Sequence, residues 1–221
     1  MKTKLLQALV LLVVAASASA VRADSLLDDL SPDQLSQMKS GQMVVRPTDV
    51  DGAPWPRLQV YVKVNAPVQA VEDVFRDYSG ASSYIPNLVS ADVLSHPNPN
   101  TYDVRYTSTM PLVGKVSNTV RNKYSYDGNA LVVNWNLLQS GLADESTGQL
   151  RVEPYGSGSV LRYTNFVRPK SSFAFLAKGA ALSEVKATVA AIKKEAERRF
   201  DAGLVKGTGG GSPGQQKTPT P

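Results

Sequence analysis

The chain predicts an α+β domain, in which a curved antiparallel sheet of about six to seven strands lies against one long C-terminal helix. Three observations carry this. From Val89 to Val167 apolar and polar residues alternate with period two, as in strands that bury one face. The links between these runs are short turn clusters, Asp127-Gly128 above all, which join antiparallel neighbours. Beyond them the period changes. Leu182, Val185, Val189, Ile192, Ala196 and Phe200 fall at helical spacing on one face. A lone helix gains little from propensity, so that stripe needs a cover, and strands are what the chain offers.

The elements can be justified in order. Lys2 and Lys4 precede a short apolar run, Leu5 to Ala16, and the small residues Ala18-Ser19-Ala20. Residues 1–20 therefore read as a secretory signal peptide, with a secreted or periplasmic address expected. Residues 21–56 read as an N-terminal extension. Within it Ser31 caps a short helix, Pro32 opens it, Gln34 closes a capping box and Gly41 ends it. Gln42 to Arg46 follows as a strand, and Asp49 to Pro56 is a loop. The main domain is expected over 57–201. Leu58 to Val64 is its first strand. Asn65 is the expected cap of a helix that turns Val68, Val71, Val74 and Phe75 inward, and Tyr78 to Pro86 reads as a second short helix. Strands are then expected at Val89–Ser95, Thr101–Thr109, Val116–Tyr126, Leu131–Leu138, Thr147–Pro154 and Val160–Val167. The last helix should run from Ser172 to Asp201, with Gly203 as its stop. Residues 202–221 are rich in Gly, Pro, Thr and Gln and read as a disordered tail.

Composition excludes several chemistries. The 221 residues include no cysteine and one histidine, His96, so disulfides, cysteine-ligated zinc, thiol nucleophiles and histidine clusters fall away. Loss of residues 1–20 removes two lysines and no acid, so the net charge falls from +5 to +3. That mild excess does not argue for nucleic acid. In the last helix the basic residues alternate with Glu184, Glu195 and Glu197, as on a solvated face. No catalytic set emerges. His96 lies in a Pro- and Asn-rich turn, and the S-x-x-K runs at Ser36 and Ser183 lack companion motifs. Asp144 and Glu145 point to opposite sides of a strand. No metal or organic cofactor is expected.

The strand parity locates a candidate site. Turning Arg105, Arg121, Arg151 and Arg162 outward sends Tyr102, Tyr106, Asn118, Asn122, Trp135, Tyr163 and Asn165 inward among valines and leucines. Tyrosines and asparagines are uncommon in a dry core, because each buried amide needs a partner. The candidate cavity is therefore Asn118, Asn122, Trp135, Tyr163 and Asn165 on the sheet, with Val185, Val189 and Ile192 on the helix. Simple core packing accounts equally well for the three aliphatics. Two apolar loop tips, Met110, Leu112 and Val113, and Phe173, Phe175 and Leu176, are candidate gates. With Lys115, Lys170 and Lys178 beside them, transient contact with a membrane surface is expected of them.

Three stretches carry a resemblance. Val60 to Phe75 (VYVKVNAPVQAVEDVF), Asp77 to Leu94 (DYSGASSYIPNLVSADVL) and Gly148 to Pro169 resemble segments of the START-like superfamily, in its branch of polyketide cyclase/dehydrase and ubiquinone-binding proteins. The resemblance spans about Gln42 to Phe200 and implies a helix-grip fold: a sheet curled round the last helix, with an apolar tunnel between. It implies binding, and transport, of a hydrophobic small molecule such as a lipid, sterol, quinone or polyketide. A cyclase- or hydrolase-like enzyme and a ligand-free interaction scaffold are the alternatives. No feature of the chain sets its oligomeric state.

Overall fold

The computed structural model describes residues 25–110, 114–170 and 174–205, without the side chains of 174–178, 180 and 181. Its elements run α1 (Pro32–Lys39), β1 (Val44–Thr48), β2 (Arg57–Val64), α2 (Val68–Arg76), a single 3₁₀ turn (Ala81–Ser83), β3 (Leu88–Asn98), β4 (Thr101–Met110), β5 (Gly114–Asp127), β6 (Ala130–Ser140), β7 (Ala143–Tyr155), β8 (Gly158–Pro169) and α3 (Ala174–Asp201). The strands form one eight-stranded antiparallel sheet in the order β1-β2-β8-β7-β6-β5-β4-β3. The chain from β2 to β3 crosses the full width of the sheet, carrying α2 and the 3₁₀ turn with it.

The α+β, helix-grip class holds, with corrections at the element level. There are eight strands rather than six to seven, because the segment before residue 57 adds β1 to the sheet edge. β1 sits two residues later than expected and includes Pro47, which an edge strand tolerates because one side needs no N–H donor. The strands also outrun their predicted ends, since ladder pairing holds polar residues of weak strand preference such as Lys115 and Asp127. Tyr78 to Pro86 forms only the 3₁₀ turn, not a helix. Asp77 takes the Gly80 N–H at 2.9 Å, and Tyr84 sends its hydroxyl back to the Val74 carbonyl at 2.9 Å. These local bonds compete with helix continuation. Asn65 is not the cap of α2. Pro67 holds that position without a side-chain bond, and the Asn65 N–H donates to the Glu197 carboxylate of α3 at 2.7 Å. At α1, by contrast, the Ser31/Gln34 capping box is complete.

The concave face of the sheet holds the main core. Val60, Val62, Val64, Val104, Leu131, Val133, Leu150, Val152 and Leu161 from the strands meet Val71 and Val74 of α2 and Val189, Ile192 and Ala196 of α3. The helix stripe ends at Ala196, because Phe200 is 43% exposed. The outer face carries a smaller core in which Leu26, Leu30 and Met38 cover Val44, Tyr61 and Val160. Arg162 points outward as predicted and bonds Asp29 (2.7 Å) and Gln149 (2.9 Å) beneath this cover.

The far end of α3 is tied to the middle of the crossover, just after α2, by charge. Arg199 bonds Asp77 (2.7 Å) and Glu195 (2.8 Å), and Arg198 bonds Glu195 at 2.7 Å. Hydrogen bonds from Arg198 and then Arg199 outweigh burial and hold the Glu195 carboxyl near pKa 2, against an ordinary 4.5. At Asp77 burial opposes the charge, but Arg199, the Gly80 N–H and Ser79 still lower the pKa. In register, Trp135 of β6 lies opposite Gly148 of β7, which lies opposite Asn165 of β8. A Cβ on Gly148 would overlap the Trp135 indole and the Thr164 carbonyl.

Two outcomes follow. A folded pKa below the ordinary value means that Glu195 adds stability above pH 4.5 and loses it as pH falls toward 2. The urea midpoint should drop through that window, and Glu195→Gln should flatten the drop; an unchanged slope would remove the ion-pair account. Gly148→Ala should cost about 1–3 kcal/mol in urea unfolding and shift Trp135 emission, because the clash is with backbone as well as indole.

Candidate ligand cavity

α3 does not fill the concave face. Between its N-terminal half and the sheet lies a cavity of about 770 Å³, and a second lobe of about 260 Å³ continues inward beneath α2 and the 3₁₀ turn. Ser108, Tyr163, Asn165, Glu184 and Thr188 line both lobes and so mark their junction. The outer lobe is walled by Leu58, Met110, Val116, Asn118, Val167, Leu182 and Val185, with Trp55 and Pro56 of the β1–β2 loop at its side. The inner lobe is walled by Phe75, Tyr78, Tyr84, Tyr106, Asn122, Trp135 and Ile192.

The register explains why these side chains converge. Leu58, Asn165, Gly148, Trp135, Asn122 and Tyr102 stand opposite one another in a single row across five interstrand pairs. Gly148 leaves the gap in that row, and the Trp135 indole lies in it with Tyr163 packed alongside at 5.0 Å between ring centroids. Parity alone could not show that a missing side chain in β7 seats the tryptophan.

A tyrosine cluster supports the inner lobe. The Tyr124 hydroxyl donates to the Phe75 carbonyl at 3.2 Å, so Tyr78 must be the donor in its 2.8 Å bond with Tyr124. Burial pushes the Tyr78 and Tyr84 hydroxyls up to about pKa 12. The Arg76 guanidinium lies over the Tyr124 ring at 3.9 Å and bonds Glu72 at 2.7 Å. Asn122 is 2% exposed and donates to the Tyr106 hydroxyl at 3.1 Å, so its amide is already committed to a protein partner.

The predicted site residues distribute as follows. Asn118 and Val185 line the outer lobe, Asn122, Trp135 and Ile192 the inner, and Tyr163 and Asn165 both. Val189 is fully buried, lines neither lobe and serves as core. Met110 borders the outer lobe. Leu112, Val113 and Phe173 lie outside the described residues, as do the side chains of Phe175 and Leu176. His96 is exposed and stacks on Tyr102 at 4.2 Å.

Glu184 is the main correction. Read as part of a solvated helix face, it instead borders both lobes, and burial raises its carboxyl pKa above the usual range. Burial foremost, and then Glu184, pushes the Tyr163 hydroxyl upward. The signal was present in the spacing: Glu184 and Thr188 stand eight and four residues before Ile192, a member of the apolar stripe. Among the described residues no lysine or arginine lines either lobe, and no group of histidines and carboxylates is arranged to hold a metal ion. The arrangement can exclude water from an apolar body while offering amide, hydroxyl and carboxyl groups at mid-depth.

Comparison with known proteins agrees with this architecture. A lipid transfer protein related to STAR, from Xanthomonas axonopodis, superposes with a TM-score of 0.62 at 19% identity over 70% of this chain and 92% of its own. The Zhui aromatase/cyclase of Streptomyces sp. R1128 gives 0.59 at 18% identity, covering 66% of this chain and 96% of its own. Human STARD10 gives 0.58 at 14% identity, covering 72% of each. At such identities the likeness establishes the fold and not the ligand. No curated protein matches the chain. Residues 56–197 match the family model for polyketide cyclase / dehydrase and lipid transport, and the chain belongs to that family.

Proposed function

We propose that the protein binds a hydrophobic small molecule between sheet and α3 and carries it through the cell envelope or outside the cell. The observation that carries this reading is the two-lobed cavity, whose outer part at about 770 Å³ falls in the range of sites that enclose a ligand of a few tens of atoms. Its walls are mostly aliphatic and aromatic, so transfer of an apolar chain from water is favourable at about 25 cal/mol per Å² buried. The family match and the fold shared with a lipid transfer protein support the same class of ligand. The signal-like residues 1–20 support an address outside the cytoplasm. The loops at Met110 and before α3 are the proposed gate, with Lys115 and Lys170 available to an anionic membrane surface.

Glu184 favours a second reading. A carboxyl with a raised pKa beside the Tyr163 hydroxyl can exchange a proton with a bound substrate, as a cyclase or hydrolase would require. Recovery of the bound molecule separates the two, because a carrier returns it unchanged and an enzyme does not.

Organic extraction of the purified protein followed by mass spectrometry should yield an apolar molecule in near-stoichiometric amount. Val185→Trp, which places an indole in the outer lobe, should weaken loading from vesicles by on the order of tenfold while the urea midpoint stays close to the parent's. Extracts without any apolar molecule, together with unaltered loading by Val185→Trp, would refute the carrier reading.

A further inference from the structure

The polar groups inside the cavity restrict which ligand it accepts. Asn118, Tyr163, Asn165 and Glu184 line the space, yet no side-chain polar atom of these four is hydrogen-bonded to another described residue. Nearby Asn122 and Tyr78, in contrast, are already paired with Tyr106 and Tyr124. Three of these, Tyr163, Asn165 and Glu184, line both lobes and so mark their junction, where a ligand entering from the outer lobe would place its leading end. Among the described residues, the ionisable side chains bordering the two lobes are Asp49, Glu184 and tyrosines, all of them acids. The Arg199 guanidinium, over the Tyr84 ring at 5.7 Å, is committed to Asp77 and Glu195.

Resting on the carrier reading above, we infer that Glu184 is the polar anchor of the cavity and selects an apolar molecule ending in a hydrogen-bond donor, a hydroxyl or an amine, over one ending in a carboxylate or phosphate. A carboxylate carries four lone-pair sites and no proton to give, so it rewards a donor and repels an anion. Burial raises the Glu184 pKa, so its carboxyl takes up a proton more readily than an exposed one, and in that form it still accepts from a hydroxyl while donating in return. An acidic headgroup would be buried beside Glu184 without a cation among the described lining residues, which is costly in a low-dielectric site. Asn165 and Tyr163, on the facing strand, complete the grip from the sheet side.

The test uses four probes of matched length, undecanol, undecylamine, undecanoate and decyl methyl ether, titrated into the full chain at neutral pH. Trp135 fluorescence and calorimetry read the binding. Undecanol and undecylamine should bind roughly tenfold tighter than the ether, which has no donor, and undecanoate should bind weakest. Glu184→Gln should keep the preference for undecanol and lose that for undecylamine, because an amide accepts a hydrogen bond but carries no charge. Glu184→Leu should bring undecanol and the ether together and admit undecanoate. Undecanoate binding as tightly as undecanol, or a Glu184→Leu variant that preserves the parent order, overturns the anchor while leaving the carrier reading intact. If none of the four binds, the ether included, both readings fail together.

Discussion

A single rod cannot cover a wide curved sheet, and the rest of this molecule follows from that mismatch. Eight strands at roughly 4.8 Å spacing present a surface about 34 Å across, whereas a helix with its side chains is about 10–12 Å thick. α3 lies closest to β2 and β8 and buries Val189, Ile192 and Ala196, and α2 covers β7 and β6 with Val71 and Val74. What neither helix reaches becomes the cavity. The inner lobe runs beneath α2 and the outer one beneath the first half of α3.

The structure holds the helix where it leaves that room. At its C-terminal end α3 is tied twice, through Arg199 to Asp77 and through Glu197 to the Asn65 N–H, so both ends of α2 are clamped to it. Its N-terminal half lies over the larger lobe, and there Leu182 and Val185 serve as cavity wall rather than packed core. Packing is dense around Val189, Ile192 and Ala196, while Leu182 and Val185 border the cavity.

Polar groups on the concave face divide into two kinds. Tyr78, Tyr124, Asn122 and Tyr106 satisfy one another or the backbone, and they belong to the rigid floor. Asn118, Tyr163, Asn165 and Glu184 have no such partners among the described residues and line the cavity. Tyr163, Asn165 and Glu184 line both lobes, and Asn118 lines the outer one.

The amino-acid pattern alone determined the α+β class, the long terminal helix, the inward parity of Tyr102, Tyr106, Trp135 and Tyr163, and the Ser31 capping box, because each depends on neighbours within a few residues. Alternation and helical spacing are local, and they survive whatever the rest of the chain does. Tertiary structure decided the remainder. Asn65 lost its capping role to Pro67 while its N–H went to a carboxylate 132 positions away, and the Tyr78–Pro86 segment stopped at one 3₁₀ turn. Val189 became core where Val185 became wall, although both stand on the same helix face. Glu184, one residue from that stripe, proved to border the cavity rather than solvent. Periodicity says which way a side chain points, but whether it meets packed atoms, water or open space depends on the width of the sheet it faces.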